Sequence, residues 1–108
     1  MKITEVKDNK KQYLPLLLLA DEQENMIDRY LEKGTMYVLE DQGLKGECVV
    51  LDVGDDILET KNLSVEPGSQ RNGYGKALID LNITVRRGSS AYFGVYILGR
   101  YISFASNN

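Results

Sequence analysis

The sequence predicts an α+β domain in three layers, with a mixed, mostly antiparallel sheet flanked by helices. Three observations carry this. Three strand-like segments follow one another between residues 35 and 65, parted only by the turns Asp41-Gln42-Gly43 and Gly54-Asp55-Asp56. Turns that short join antiparallel neighbours. Helical patterns of apolar residues stand on both sides of this run, two before it and one after it. The chain has 108 residues, the length of one domain, and shows no linker or internal repeat.

The elements follow in order. Lys2–Val6 alternates polar and apolar residues and reads as a first strand. Asn9 is a candidate cap for a helix that places Leu14, Leu17 and Leu18 on one face. Pro15 bends or restarts that helix, because it offers no amide hydrogen. A second helix is capped by Asp21 with Glu24 three residues on. Its buried stripe is Met26, Ile27, Tyr30 and Leu31, and Gly34 is placed to end it in the left-handed conformation.

Strands are expected at Thr35–Glu40, Gly46–Val53 and Ile57–Val65. A third helix follows, with Tyr74, Ala77, Leu78, Leu81 and Val85 on one face. Ala91–Leu98 reads as a further sheet member beside the central strands, and Tyr101–Phe104 as one more.

Composition narrows the chemistry. There is no histidine, so a Ser-His-Asp triad is excluded, and so is the usual general base. Cys48 is the single cysteine, which excludes a disulfide framework and, without histidine, leaves a zinc site only carboxylates to add. Within "ECVVL" it reads as a small buried apolar residue. A net charge of −3 argues against a nucleic-acid partner. The apolar run Leu14–Ala20 is too short to span a bilayer, so no membrane partner is expected. One cysteine and no charged-then-apolar leader predict a cytoplasmic protein. Asp52, Asp55 and Asp56 lack calcium-loop spacing and read as a hairpin turn.

The informative stretch is "VEPGSQRNGYGKALIDL", Val65–Leu81. A helix N-terminus carries unpaired amide hydrogens and a partial positive charge. A glycine-rich turn before it lets a phosphate reach those amides. Gly73 and Gly75 leave the room, and the basic residues Arg71, Lys76, Arg86 and Arg87 flank it, so a small anionic ligand is indicated. The Walker A spacing fails, since Tyr74 and Gly75 stand where Lys and Ser/Thr are needed. The dinucleotide fingerprint fails too: Leu78 replaces its third glycine and the preceding strand belongs to an antiparallel set.

The longer string "NLSVEPGSQRNGYGKALI" resembles the acetyl-coenzyme A signature of the GCN5-related N-acetyltransferase (GNAT) superfamily. Gln70, Gly73 and Gly75 occupy its three defining places, behind an apolar strand and V-x-P. The resemblance covers roughly residues 1–81 and implies an acyl-CoA N-acyltransferase (GNAT)-like fold. It also implies that the strand Ile57–Val65 splays from its neighbour. Backbone groups near Leu63 and Val65 would pair with the pantetheine arm. Backbone amides of Arg71, Asn72, Gly73, Tyr74, Gly75 and Lys76 would hold the pyrophosphate. A main-chain amide near Val65 would polarise the acetyl carbonyl, and a small-molecule or peptide amine would attack the thioester directly.

Where some family members place a glutamate base on this strand, this chain has Lys61. Glu59 lies two residues before it on the same side by strand alternation and is the candidate base, against the plainer reading of a surface carboxylate. Tyr92, Tyr96 and Tyr101 read as packing rather than as a general acid.

The family pattern ends near Leu81, and residues 82–108 are a divergent tail within a single domain. β-Branched Ile83, Thr84 and Val85 end the helix, and no Asp, Glu or Lys follows. One reading is a truncated or frame-shifted gene, which comparison of the encoding DNA in all frames would test. A shortened fold exposes a sheet edge, so a homodimer is expected through Tyr92–Leu98 or Tyr101–Phe104. The alternatives to an enzyme are a non-catalytic CoA-binding module or a dimeric interaction module that lacks the acceptor half.

Overall fold

The computed structural model describes residues 1–54, 57–85, 92–97 and 100–105, with the residues from 82 onward described by their backbone course. The chain runs β1 (Lys2–Val6), a 3-10 turn (Lys10–Tyr13), α1 (Leu14–Ala20), α2 (Glu24–Ile27), β2 (Thr35–Glu40), β3 (Leu44–Gly54), β4 (Ile57–Val65), a second 3-10 turn (Pro67–Ser69), α3 (Tyr74–Val85), β5 (Tyr92–Ile97) and β6 (Arg100–Ala105). The six strands form one sheet in chain order. All neighbours are antiparallel except β4 and β5, which are parallel. The strand expected in 91–98 therefore lies beside β4, as β5.

Two cores sandwich the sheet. One contains Leu17 of α1 and Ile27 of α2, with Tyr30, Leu31, Val6, Met36, Val38 and Val49. The other contains Leu78 of α3, with Leu39, Cys48, Val50, Leu58 and Leu63. Leu17, Ile27 and Leu78 have no exposed surface, so each helix is fastened through its apolar stripe. Cys48 is buried as a small apolar residue.

A bulge in β4 decides which side chains meet which core. Val49 pairs with Asn62 and Val50 with Thr60, so Lys61 is an extra residue with no β3 partner. Side chains alternate with a period of two, and one extra residue reverses the faces beyond it. Leu58 and Leu63, an odd number of residues apart, thus share the α3 core. Asn62 and Ser64 turn the other way, where they reach the carbonyls of Leu17 and Leu16.

Several local expectations are corrected. Of the two readings of Pro15, the restart holds and the bend does not: after the 3-10 turn it sits in the first turn of α1, where its missing N–H costs nothing. Asn9 takes a left-handed conformation (φ 52°) before the 3-10 turn and makes no side-chain cap. The second helix is regular only over Glu24–Ile27, and Gln23 rather than Asp21 stands at its N-cap. Asp21 is drawn instead to the Tyr30 hydroxyl, which donates to its Oδ2 at 3.1 Å. Gly34 is not among the left-handed glycines. Its lack of a side chain answers crowding: a Cβ there would stand 2.8 Å from Val49 Cγ1 and 3.0 Å from Val50 O. Lys10, buried in the same region, donates to Leu31 O at 2.9 Å and Gly34 O at 2.8 Å.

Asp55, Asp56, Arg86, Arg87, Ala91 and Leu98 lie outside the described residues, as do the side chains of Val85, Tyr92, Tyr96 and Tyr101. Among the described residues no helix is long and apolar enough to cross a membrane.

Candidate functional site

The parallel pairing of β4 with β5 runs from Ile57↔Tyr92 to Thr60↔Val95. Beyond Thr60, β4 has no partner on that side among the described residues. The bulge at Lys61 falls where the pairing stops, and a bulge bends its strand and increases the local twist. The last stretch of β4 is thereby left with an open backbone edge.

That edge borders a cleft of about 550 Å³. Leu19 and Ala20 line it from the end of α1, Leu63, Ser64 and Val65 from β4, and Pro67, Gln70, Arg71, Gly73, Tyr74, Gly75 and Lys76 from the turn into α3. Eight of the ten sequence-derived candidates are brought together here. Asn72 is not among the lining residues; its amide donates to Ser69 O at 2.8 Å and braces the turn from within. Glu59 is also elsewhere. It pairs with Lys61, Oε1 to Nζ at 2.9 Å, on the face of β4 that looks towards α1.

The turn is built to present amides. Glu66 organises its start: its carboxylate accepts from Gly68 N at 3.2 Å and from the Ser69 hydroxyl at 2.7 Å. These bonds hold its pKa below the ordinary glutamate value, the Ser69 contact foremost. Arg71 (φ 71°) and Gly73 (φ 80°) both adopt left-handed backbone, which curls successive N–H groups towards one side. The helical bonding of α3 opens with Ala77 N donating to Gly73 O at 3.0 Å. The amides just before it have no partner within the helix.

The two glycines serve different needs. At Gly73 the positive φ requires the residue, since a Cβ would meet nothing within 4 Å. At Gly75 the backbone is ordinary, and a Cβ would lie 3.8 Å from Val65 Cγ2 and 4.0 Å from Leu63 Cδ2. A longer side chain there would grow into the space between turn and open edge. Gly75 thus leaves room in the cleft that its backbone conformation does not require.

Tyr74 ties this arrangement to the sheet. Its hydroxyl donates to Asp41 Oδ2 at 2.8 Å, across the β2–β3 turn. That bond draws the Asp41 pKa down and pushes the Tyr74 pKa up. Lys76 Nζ pairs with Asp80 Oδ2 at 2.7 Å, one turn along α3, so its charge is shared with a carboxylate.

A second cleft of about 420 Å³ lies on the α1–α2 side, lined by Ala20, Asp21, Met26, Arg29, Tyr30, Leu51 and Lys61. Ala20 borders both clefts. Between them runs a buried polar line. Asn62 Nδ2 donates to Leu17 O and to the Tyr30 hydroxyl, each at 3.0 Å. Ser64 Oγ lies 2.7 Å from Leu16 O and 2.8 Å from Glu47 Oε2. Burial pushes the Tyr30 hydroxyl up and raises Glu47 to about 8. Sequence reasoning missed this line. The available signal was the polar trio Glu47, Asn62 and Ser64 inside strands that otherwise read as apolar.

A mixed sheet that splits at a bulged strand, with an amide-lined turn leading from that strand into a helix, defines an acyl-CoA N-acyltransferase type of fold. No protein-family model matches the chain. Over 65 residues the chain is 37% identical to the uncharacterized N-acetyltransferase YvbK of Bacillus subtilis, a match covering 59% of this chain and 42% of that protein. It superposes on an IAA acetyltransferase from Bacillus cereus with a TM-score of 0.75 at 28% identity, covering 87% of this chain and 65% of the other. A GNAT family acetyltransferase from Elizabethkingia anophelis, solved with acetyl-CoA bound, gives 0.74 at 26% identity, covering 86% and 63%. The chain spans less than two thirds of each of these relatives. In fold and in sequence likeness it is consistent with a GNAT superfamily member.

Proposed function

We propose that the chain is an N-acetyltransferase-like protein that binds acetyl-CoA in the β4–α3 cleft. The observation that carries this reading is the conjunction of an open β4 edge over Lys61–Val65 with unpaired amides at the start of α3, both bordering one cleft. The residues present fit the group. Amides of Arg71 to Lys76, in the turn and at the start of α3, would meet its pyrophosphate. Leu63 and Val65 offer main-chain groups to an extended pantetheine amide arm, in the manner of an added strand. Gly75 leaves the space between them.

Acetyl-CoA, when bound, supplies a thioester open to direct attack by an amine, with no covalent intermediate on the protein. The chain's own groups position and polarise. A main-chain amide near Val65 would donate to the oxygen on which charge develops. Glu59 is the candidate acceptor of the amine's proton, from a carboxylate held against Lys61. The amine, a small molecule or a peptide, would approach through the second cleft, which meets the first at Ala20. A cytoplasmic homodimer joined through the β5–β6 region belongs to the same proposal.

One observation favours a second reading. Glu59 is already engaged by Lys61, at the position where a base is expected. A module that holds CoA without turnover would tolerate this. Release of free CoA thiol from acetyl-CoA, followed over a panel of amines, separates the two. Amine-dependent release supports the enzyme; binding without release across the panel supports the module.

A further inference from the structure

The contacts of Ser64 contain a proton count that does not balance with ionised groups. Its Oγ lies 2.7 Å from Leu16 O and 2.8 Å from Glu47 Oε2. Two oxygen–oxygen contacts of that length each need a hydrogen between the atoms. Leu16 O can only accept, and a serine hydroxyl carries one hydrogen. If that hydrogen goes to Leu16 O, the second must come from Glu47.

We propose that Glu47 is held as a neutral carboxylic acid that donates to Ser64 Oγ, and that this proton fixes α1 at Leu16 against β4 and so positions the α1 wall of the acetyl-CoA cleft. The positioning half rests on the acetyl-CoA reading of the cleft; the protonation half does not.

The surroundings agree. Glu47 has no exposed surface, and no Lys or Arg pairs with it among the described residues. α1 carries no titratable side chain, and β2 places Val38 opposite. On β4, Ser64 and Asn62 face it, while Glu59 and Lys61 pair with each other. The 3-10 turn contributes Tyr13 and Lys10, and the Lys10 amine is spent on two carbonyls. Tyr30 is the remaining titratable neighbour, and its hydroxyl is bonded to Asp21 and Asn62. A buried carboxylate without a cation is disfavoured, so burial raises the group to about 8 from the ordinary 4.5. Asn62 grips Leu17 O beside Leu16 O, and the last two residues of α1, Leu19 and Ala20, line the cleft.

The sign follows from linkage. The folded state keeps a proton that the unfolded chain releases near 4.5. Stability from this group is therefore full below that pH and is lost as pH rises towards about 8.

Glu47→Gln keeps a donor for Ser64 Oγ and removes the titration. In neutral D2O the wild type should show a carboxylic-acid C=O infrared band that E47Q lacks; absence of the band overturns the proposal, and this reading needs no variant to fold. Relative to E47Q, the wild-type unfolding constant should rise about tenfold per pH unit across that window; parallel profiles overturn it. Acetyl-CoA affinity should weaken severalfold as pH passes about 8 in the wild type but not in E47Q. Affinities that move together would overturn the positioning role. Absence of binding in both proteins at every pH would overturn the acetyl-CoA reading and with it the positioning role, while the band and the unfolding profile still decide the proton.

Discussion

The two faces of β4 solve different problems. Towards α3 the packing is apolar: Leu58 and Leu63 meet Leu78, Val50 and Cys48. Towards α1 the same strand offers Asn62 and Ser64, which bind helix carbonyls over a buried glutamate. Apolar contact is strong but not directional. Hydrogen bonds to Leu16 O and Leu17 O, midway along α1, fix the helix in angle as well as distance. The cleft is bordered by both: the start of α3 on one side and the α1 residues Leu19 and Ala20 on the other. The bulge at Lys61 makes this division possible by reversing the faces of the residues beyond it, so that Leu63 joins Leu58 on the apolar side while Asn62 and Ser64 turn to α1.

Substitutions on the two faces should therefore differ in kind. The largest effect is expected on the apolar side, where Leu78→Ala should lower stability by about 3 kcal/mol, read from urea unfolding. A loss below about 1 kcal/mol would mean that α3 is not seated by this contact. On the polar side Asn62→Ala strips a donor from Leu17 O and the Tyr30 hydroxyl, and should cost about 2 kcal/mol. It should also speed amide exchange at the end of α1 more than in α3. Equal exchange in both helices would erase the proposed distinction between the faces.

Gly73→Ala should cost about 1 kcal/mol, since its only penalty is the left-handed backbone in open space. A much larger loss in thermal unfolding would show contacts at that position that the fold does not contain. The smallest effect is expected for Lys76→Ala. Its pair with Asp80 is solvent-exposed, so the unfolding midpoint should stay where it is.

Much of this was legible in advance. Short turns and alternating residues located β2, β3 and β4, and Gly73 and Gly75 ahead of a helical pattern pointed to a turn that presents amides, with Gln70 added by the family resemblance. What escaped is what depends on tertiary contact. The Lys61 bulge leaves no local mark, because "KNLSV" reads as ordinary strand whichever residue is left unpaired. Gly34 looked like a helix stop because glycine commonly is one; the true reason is the approach of Val49 and Val50, distant in sequence. Asp21 looked like a cap and became the partner of Tyr30, since a half-buried phenol competes for the same carboxylate. Nothing local in "GECVVLDV" marks Glu47 as buried; the strand parity and the cover of α1 bury it.

The central claim is that the turn from β4 into α3 holds the pyrophosphate of acetyl-CoA. Calorimetric titration with acetyl-CoA tests it most directly, comparing the wild type with Gly75→Glu. The variant places an anion and bulk where the glycine leaves room, at a backbone conformation that glutamate can adopt. Micromolar-range binding, about −8 kcal/mol, by the wild type and its loss in a Gly75→Glu variant of unchanged thermal stability is the predicted result. No heat with the folded wild type, or equal affinity in the two proteins, would contradict it.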